Sequence, residues 1–295
     1  MTMHPPKFDY YRANSVNEAI SLMGQHSGAK FLAGGHSLIP IMNLRLADPG
    51  VLIDIGRIGE LKGITVTRDG GCVIGALTTH AEVAANTDVP TALSEAAGMI
   101  GDPQVRNRGT VGGNVAHADP ASDLPTVLTA LDATFEIVGA NGSREVTAKD
   151  FFVDLFTTAL QDGEILRSIR IRSPHPGRMY NAAAGSAYEK LFNPASRYAM
   201  VGAAATVIVE NGQCTAAGVA IGGLTPHATQ AASVEAALVG KALDADTIAA
   251  AAAEVANDLG DDILGDIHAS ADYRRQVAPV FVRRALETAV SRTPE

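Results

Sequence analysis

The stretch AGGHSLIP, residues 33–40, places two glycines between an apolar run, KFLA, and a second apolar run typical of a helix. A strand that passes through a Gly-Gly turn into a helix presents backbone N–H groups to an anion such as phosphate. The same geometry occurs in ordinary tight turns, where glycine supplies a positive φ. The stretch therefore predicts a strand–turn–helix order and leaves open whether the turn binds a ligand and whether His36 takes part in chemistry.

The residues around this turn alternate between strand and helix patterns. Ser15 and Glu18 have the S-x-x-E spacing of a capping box, which predicts a helix over residues 16–25. The next elements are expected to be a strand, a helix and a strand, over residues 29–33, 37–47 and 51–56. This order is typical of a β-α-β unit.

Residues 57–176 predict a second unit with two hairpins, whose turns lie at Asp69-Gly70 and Asn141-Gly142. Helices are expected over residues 79–87, 90–100 and 124–133, and a strand over residues 164–171. Residues 101–123 are rich in glycine and show no periodicity, which predicts a long irregular loop; such loops are usually functional or disordered. The segment SPHPG, residues 173–177, is the best candidate for a domain boundary.

The remaining residues differ in composition: two apolar segments typical of strands are followed by alanine-rich segments typical of helices. The strands are predicted over residues 199–210 and 215–223, around the turn Asn211-Gly212. Alanine has high helix propensity, so the later segments are expected to be helices that pack on a small sheet. These helices are predicted over residues 228–240, 245–258 and 272–290.

Composition excludes several classes of function. The net charge of −9, without a basic cluster, argues against nucleic acid as the main partner. The first residues lack the apolar core of a signal peptide, and no run reaches the roughly 18 apolar residues of a spanning helix, so a cytoplasmic protein is expected. Cys72 and Cys214 are the only cysteines, whereas an iron–sulfur cluster needs about four thiolates. We therefore expect no metal in this chain.

A second glycine-rich stretch, GTVGGN at residues 109–114, makes the first more informative. Neither is a Rossmann or a Walker motif, and each alone is a weak signal. Together they favour one extended ligand held between two units, and a dinucleotide pyrophosphate fits because glycine lets backbone N–H groups approach its charge. The hydroxyl groups of Ser37 and Thr110 could add donors.

Other polar residues leave alternatives open. Asp123 could cap the helix that follows it, or it could accept hydrogen bonds from ligand hydroxyl groups, as acidic residues do in dinucleotide sites. Arg106 and Arg108 could contact phosphate or could simply be solvated. No Ser-His-Asp or Cys-His arrangement is evident. Further polar side chains lie together near a strand: Tyr188, Lys190, Arg197 and Tyr198.

With these stretches in view, the chain resembles the FAD-binding medium subunit of the molybdenum hydroxylases, the family of xanthine dehydrogenase and aerobic carbon monoxide dehydrogenase. The resemblance covers nearly the whole chain. The segments that carry it are AGGHSLIPIMNLRL, VLIDI, GDPQVRNRGTVGGNVAHADPASDLP, YEK and the C-terminal DYRR and RRAL.

The resemblance implies an α+β fold with α/β-type lobes. Residues 1–176 would form a two-lobed FAD-binding domain of the vanillyl-alcohol-oxidase or PCMH type, with lobes of about 1–56 and 57–176, and residues 177–295 would form the C-terminal flavoprotein domain. It also implies which residues bind the cofactor and assigns no catalytic side chain. The implied FAD-binding residues are Ala33, Gly34, Gly35, His36, Ser37, Leu38, Ile100, Thr110, Val111, Gly112, Gly113, Asn114, Asp123, Lys190 and Tyr198.

Within this set, the two glycine loops would hold the pyrophosphate, and Asp123 would bind sugar or ribityl hydroxyl groups. Ile100 and Tyr198 would lie near the isoalloxazine ring. Relatives often carry an acidic residue where this chain has Arg197, which leaves the electrostatics beside the flavin open.

Such subunits work in a complex, so the resemblance implies partners. A small subunit would carry 2Fe–2S clusters, a large subunit would carry the molybdenum cofactor, and the assembly would be a dimer of heterotrimers. This chain would pass electrons from the clusters through FAD to a quinone or to NAD. No transmembrane segment is expected, and peripheral membrane association stays open. Carbon monoxide is favoured as substrate by overall similarity alone, with purines, N-heterocycles and aldehydes as alternatives.

Two other interpretations of the sequence compete with this one. In flavin oxidases of the berberine-bridge type, a histidine in a similar GGH loop carries FAD covalently, and His36 would take that role. The chain length leaves little room for the large substrate domain of those enzymes. Alternatively, the chain could be a scaffold subunit that has lost its flavin, although both glycine loops and Asp123 are present.

Overall fold

The computed structural model describes residues 4–294, and its first lobe is a small parallel sheet. The strands are β1, Asp9–Arg12, β2, Lys30–Leu32, and β3, Val51–Asp54, in the order β1-β3-β2. In this register, Leu52 of the central strand lies opposite both Tyr10 and Lys30. The predicted β-α-β unit is confirmed.

Two helices connect these strands. Helix α1, Val16–Gln25, begins where the capping box predicts, and the Ser15 hydroxyl accepts a hydrogen bond from the Glu18 N–H. Helix α2, Leu38–Asn43, is shorter than predicted, because the chain turns at Arg45 with φ +62° and the Leu46 N–H bonds back to the carbonyl of Ile41. A residue in the left-handed region is a common way to end a helix.

The second lobe is a five-stranded antiparallel sheet in the order β4-β5-β10-β6-β7. Both predicted hairpins are present, with Gly70 at φ +84° and Gly142 at φ +111° in their turns. A separate two-stranded ribbon of β8 and β9 precedes the last strand. The strands of this lobe are β4, Ile64–Val66, β5, Cys72–Gly75, β6, Thr134–Gly139, β7, Gly142–Thr147, β8, Phe152–Asp154, β9, Thr157–Thr158, and β10, Ile165–Ile171.

Six short helices accompany this sheet in the second lobe. The prediction of an irregular loop over residues 101–123 is wrong, because two of the helices, α5 and α6, lie within it. Asp102 caps α5 by accepting from the N–H of Val105 at 2.9 Å, and Thr110 caps α6 by accepting from the N–H of Gly113 at 3.2 Å. The six are α3, His80–Ala84, α4, Thr91–Met99, α5, Pro103–Arg106, α6, Val111–His117, α7, Asp123–Ala130, and α8, Ala148–Phe151.

The C-terminal part is a four-stranded antiparallel sheet backed by helices. Its first strand, β11, Gly185–Phe192, was not predicted, whereas the next two strands and the long final helix were. No helix within residues 4–294 combines the length and apolar character needed to cross a membrane. The other elements are β12, Ala199–Glu210, β13, Gln213–Gly222, β14, Thr229–Gln230, α9, Ala232–Leu238, α10, Ala245–Ala253, α11, Val255–Asp258, and α12, Ala271–Val290. Single turns of 3₁₀ helix lie at Gly59–Leu61 and Tyr180–Ala182.

Small residues in this last sheet let helix α7 lie directly against it. A Cβ at Gly218 would overlap the carbonyl oxygen of Ala130, and a Cβ at Gly222 would overlap the hydroxyl of Thr126. Ala204 and Ala220 of the sheet belong to the same hydrophobic core as the helices of the second lobe. The alanine- and glycine-rich strands thus join the C-terminal sheet to the second lobe through one continuous core.

On the other face of this sheet, α12 carries a buried arginine. The Arg274 guanidinium donates to the carbonyls of Gly223 at 2.6 Å and Ala269 at 3.3 Å, and it forms an ion pair with Asp266. Its side chain is only 6% exposed. The arginine is therefore the donor to the Gly223 carbonyl and a second donor to the Ala269 carbonyl, which also accepts from the Asp266 N–H.

We expect Arg274→Ala to lower the free energy of unfolding by about 2–4 kcal/mol, because it removes the guanidinium donor of the Gly223 carbonyl and the ion pair with Asp266, and leaves the space of a buried side chain empty. Urea titration followed by circular dichroism measures this change. The control is Arg283→Ala on the exposed side of the same helix, where the ion pair with Glu287 is half exposed, so the expected loss is below about 0.5 kcal/mol. Equal losses in the two variants would contradict the structural role of Arg274.

Candidate functional site

The first glycine loop presents a row of free backbone donors. The N–H groups of Gly34, Gly35, His36 and Ser37 have no hydrogen-bond acceptor among residues 4–294. Gly35 has φ +74°, which favours glycine, and the imidazole Nδ1 of His36 lies 3.0 Å from the Gly34 carbonyl. The side chain of His36 thus bonds back to its own loop, while the loop's N–H groups remain available to an anion.

The second glycine loop has a different geometry. The Val111 N–H donates to the Thr78 carbonyl at 2.9 Å, and the Gly112 N–H donates to the Ala76 carbonyl at 2.8 Å. The next N–H, of Gly113, donates to the hydroxyl of Thr110. These donors are already used, so the start of α6 contributes close backbone packing rather than a row of free N–H groups.

The two loops lie directly against each other. A Cβ at Gly34 would overlap the carbonyl oxygen of Arg108, and a Cβ at Gly112 would overlap Ala76. A Cβ at Gly113 would lie 3.7 Å from the Cβ of Ala33. Glycine is therefore required at Gly34, where the first lobe meets the second, and at Gly112, which packs within the second lobe. The pairing of the two loops that the sequence predicts is present.

A cavity of about 850 Å³ runs along this junction. Its apolar lining includes Phe31, Ile100, Leu160, Leu166 and Tyr198. Of the predicted binding residues, all but Val111 and Lys190 line the cavity; these are Ala33, Gly34, Gly35, His36, Ser37, Leu38, Ile100, Thr110, Gly112, Gly113, Asn114, Asp123 and Tyr198.

Asp123 lies in the wall of this cavity with most of its carboxylate turned into the protein. It is the first residue of α7, but Ser122 occupies the N-cap position, so the capping alternative for Asp123 is not what the structure shows. Its carboxylate accepts from the hydroxyl of Tyr188 at 2.6 Å and from the ammonium of Lys190 at 2.9 and 3.0 Å. Burial raises the pKa of Asp123, and the attraction to Lys190 opposes that rise.

His80 is a lining residue that the sequence analysis missed. It begins helix α3, is 3% exposed, and its Nδ1 has no hydrogen-bond partner within the described chain. Burial lowers its pKa to about 4, with smaller contributions from His36 and Arg106, so the imidazole is neutral at pH 7. The segment TTHAEV reads as a capped helix, and nothing in that pattern distinguishes a cavity residue from a scaffold residue.

A second cavity, of about 740 Å³, lies on the other side of the first loop, at the carboxyl ends of β1, β2 and β3. Exposed cations stand at its rim, among them Arg57, Lys62 and Arg108. Asp123, Ile100 and Tyr198 do not line it. Among the two cavities, only the first brings together the glycine loops and the predicted hydroxyl-binding acid.

The first cavity fits an extended dinucleotide. Its volume lies within the range of roughly 300–1,000 Å³ found for ligand sites. Free N–H groups at Gly34–Ser37 can bind phosphate oxygens, because glycine leaves no side chain to block their approach. Apolar residues of the lining can cover flat ring systems. The donors present therefore suit a cofactor with a central pyrophosphate.

Comparisons with known proteins agree with this geometry. Residues 6–174 match the sequence family described as the FAD binding domain in molybdopterin dehydrogenase, and residues 186–289 match the CO dehydrogenase flavoprotein C-terminal domain. The carbon monoxide dehydrogenase medium chain of Hydrogenophaga pseudoflava is 39% identical, over 98% of this chain and 99% of that one. The 6-hydroxypseudooxynicotine dehydrogenase complex subunit alpha of Paenarthrobacter nicotinovorans is 37% identical, over 98% and 97%.

A solved structure extends the similarity to the whole fold. Carbon monoxide dehydrogenase from Hydrogenophaga pseudoflava, in a form that lacks the Mo-pyranopterin moiety of its cofactor, matches with a TM-score of 0.91 and 40% identity, over 98% of this chain and 99% of that one. The relatives are named as medium chains or subunits of larger enzymes. The chain therefore belongs to the family of FAD-binding medium subunits of the molybdenum hydroxylases, and it is the flavoprotein component of an oxidoreductase.

Proposed function

We propose that this chain holds FAD in the cavity between its glycine loops and passes electrons from 2Fe–2S clusters of a partner subunit to a quinone or to NAD. The observation that carries the proposal is the row of free N–H groups at Gly34–Ser37, facing a dinucleotide-sized cavity that Asp123 also lines. The names of the relatives support a medium subunit of the carbon monoxide dehydrogenase type.

The two loops would divide the work of binding. The N–H groups of Gly34–Ser37 would bind the pyrophosphate, and Thr110–Asn114 would close the cavity from the other lobe through tight backbone packing. Asp123 would accept hydrogen bonds from ligand hydroxyl groups, while Ile100 and Tyr198 would cover the isoalloxazine ring. Val111 and Lys190 do not line the cavity and would support the residues that do.

Once bound, FAD supplies the redox chemistry, which no side chain of this chain can provide. The protein's own contribution is to bind, orient and shield the cofactor. His80 is neutral and buried, so it adds no charge beside the loop. No acid–base residue is needed for electron transfer, consistent with the absence of an evident triad in the sequence.

Both cysteines are unsuited to hold iron. Cys72 and Cys214 are buried and free, and burial raises the pKa of Cys72 to about 12, which disfavours the thiolate that a metal requires. This supports a division in which the clusters lie in a small partner subunit and the molybdenum cofactor in a large one. The domain limits of 1–176 and 177–295, a dimer of heterotrimers and a cytoplasmic location stay predictions.

The experiment that tests this function uses the complex co-purified with the tagged chain. We expect bound flavin absorbance, and we expect it to bleach when carbon monoxide is added without an acceptor. Purine, N-heterocycle and aldehyde substrates are the parallel arms, because the substrate is chosen in another subunit. A colourless complex that cannot be reconstituted with FAD would exclude the proposal.

The first loop gives a second prediction. We expect Gly34→Val to reduce FAD affinity at least tenfold, since any Cβ at this position overlaps the Arg108 carbonyl and separates the two loops. His36→Ala should keep FAD bound within about threefold, because the backbone N–H groups do the binding. Flavin content and equilibrium dialysis of FAD provide the measurement.

Gly24→Ala is the matched control, since a Cβ there meets no atom within 4 Å. It should bind FAD like the unmodified chain. If His36→Ala loses the flavin outright, the role assigned to the loop's backbone is wrong.

The way in which FAD is attached is also testable. The His36 side chain is engaged with the Gly34 carbonyl, which favours a non-covalent site over the covalent alternative. We expect acid precipitation to release all the flavin into the supernatant, where its absorbance is read. Flavin that stays with the denatured protein would support attachment through His36.

A further inference from the structure

Lys190 is an ammonium group enclosed by three other segments of the chain. It lies on β11, and its side chain is 1% exposed. Around it are the end of α4, the start of α7 and the loop that follows β11. It does not line the cavity. A lysine in such a place needs acceptors for all its donors, because an unpaired buried cation is strongly unfavourable.

The acceptors around Lys190 account for every donor that the side chain has. An ammonium group has three N–H bonds and no acceptor. The Nζ lies 2.9 and 3.0 Å from the two carboxylate oxygens of Asp123, 2.7 Å from the Arg197 carbonyl and 3.3 Å from the Met99 carbonyl. A hydrogen bond from Lys190 to a cofactor would require it to give up one of these partners.

We propose that Lys190 is a positioning residue that acts through Asp123, holding its carboxylate charged and aimed at the cofactor's hydroxyl groups, and that it does not itself contact FAD. The inference rests on the proposed function, since it presumes that FAD occupies the cavity. It gives Lys190 a role distinct from the cofactor contact that the sequence resemblance implies.

The negative charge of Asp123 depends on Lys190 because the carboxylate is buried away from water. Burial raises the pKa of Asp123, and the nearby positive charge of Lys190 is the largest effect that lowers it. The Tyr188 hydroxyl also donates to the carboxylate, and the Arg197 charge contributes less. Without Lys190 the pKa of the buried carboxyl group would rise further, which favours its protonated form, and the protonated group is a poorer acceptor for ligand hydroxyl groups. The titratable and charged groups that face this carboxyl are Tyr188, Lys190, Arg197 and Tyr198.

The backbone partners fix the ammonium group above Asp123. The two carbonyls come from Met99 and Arg197, the residues that directly precede the cavity residues Ile100 and Tyr198. Arg197 has φ +61°, a conformation that non-glycine residues adopt rarely. The Lys190 contact therefore helps to hold this turn and connects the acid to the segments that carry Ile100 and Tyr198.

A double-mutant cycle on the FAD-reconstituted complex tests the proposal. The variants are Lys190→Met, which removes the charge with little change of volume, Asp123→Asn, and the pair of substitutions together. Lys190→Arg, which retains a positive charge, is the conservative variant. FAD affinity is measured for each at about pH 6, 7.5 and 9, a span that covers the raised values reported for buried carboxyl groups. Melting of the apoprotein is followed in parallel.

We expect Lys190→Met and Asp123→Asn each to weaken FAD binding at least tenfold at about pH 7.5. The double variant should bind within about threefold of Asp123→Asn, because Lys190 has no carboxylate left to act on. Lys190→Met should regain affinity towards pH 9 as Asp123 loses its proton, whereas both variants with Asn at 123 should not. Lys190→Arg should retain more affinity than Lys190→Met.

If the two losses multiply in the double variant and Lys190→Met shows no recovery at high pH, Lys190 contacts the cofactor directly and the proposal is overturned. Should Lys190→Met fail to fold, the double variant, which buries no uncompensated charge, still decides between the two outcomes. Failure of the unmodified complex to bind FAD would instead refute the proposed function.

Discussion

The close approach of two backbone segments, Gly34 in the first lobe and Arg108–Gly109 in the second, is the constraint on which the rest of the site depends. No side chain fits between them at this point, so the spacing of the two loops is set by main-chain contact. Main-chain contact is rigid, and it holds the free N–H groups of the first loop at a fixed edge of the cavity. In the proposed function, backbone N–H groups would bind phosphate without a flexible cation, in a chain whose net charge is −9.

A similar close contact holds helix α7 against the C-terminal sheet. Gly218 and Gly222 let the sheet touch this helix, and the helix begins with Asp123. The same sheet supplies Tyr188 and Lys190, the two donors that hold the carboxylate. Asp123 and the two donors that hold it thus come from two regions of the chain that match separate sequence families, residues 6–174 and 186–289. The C-terminal region is part of the cavity's support and not only a surface for partners.

Local patterns in the sequence predict much of this arrangement. The capping box at Ser15, the hairpin glycines and the strand–turn–helix around Gly34 and Gly35 depend on neighbouring residues, so their structures follow from short-range rules. The contacts of residues 101–123 do not follow from such rules. The N–H groups of Val111 and Gly112 are satisfied by carbonyls at residues 78 and 76, and no spacing rule connects these segments. The Asp123–Lys190 pair joins residues 67 positions apart, so only the fold reveals it.

This difference between local and distant contacts also separates two tasks of the site. In the proposed function, the pyrophosphate would be bound by backbone N–H groups, which do not titrate. The environment of the ring and the hydroxyl groups would be set by side chains that are brought together from α4, α7 and β11. Substitutions in those side chains can alter the charge beside the flavin while the phosphate-binding loop stays intact. Arg197, which lies in the cavity wall next to Tyr198 and opposes Asp123 in charge, is placed where such variation would act.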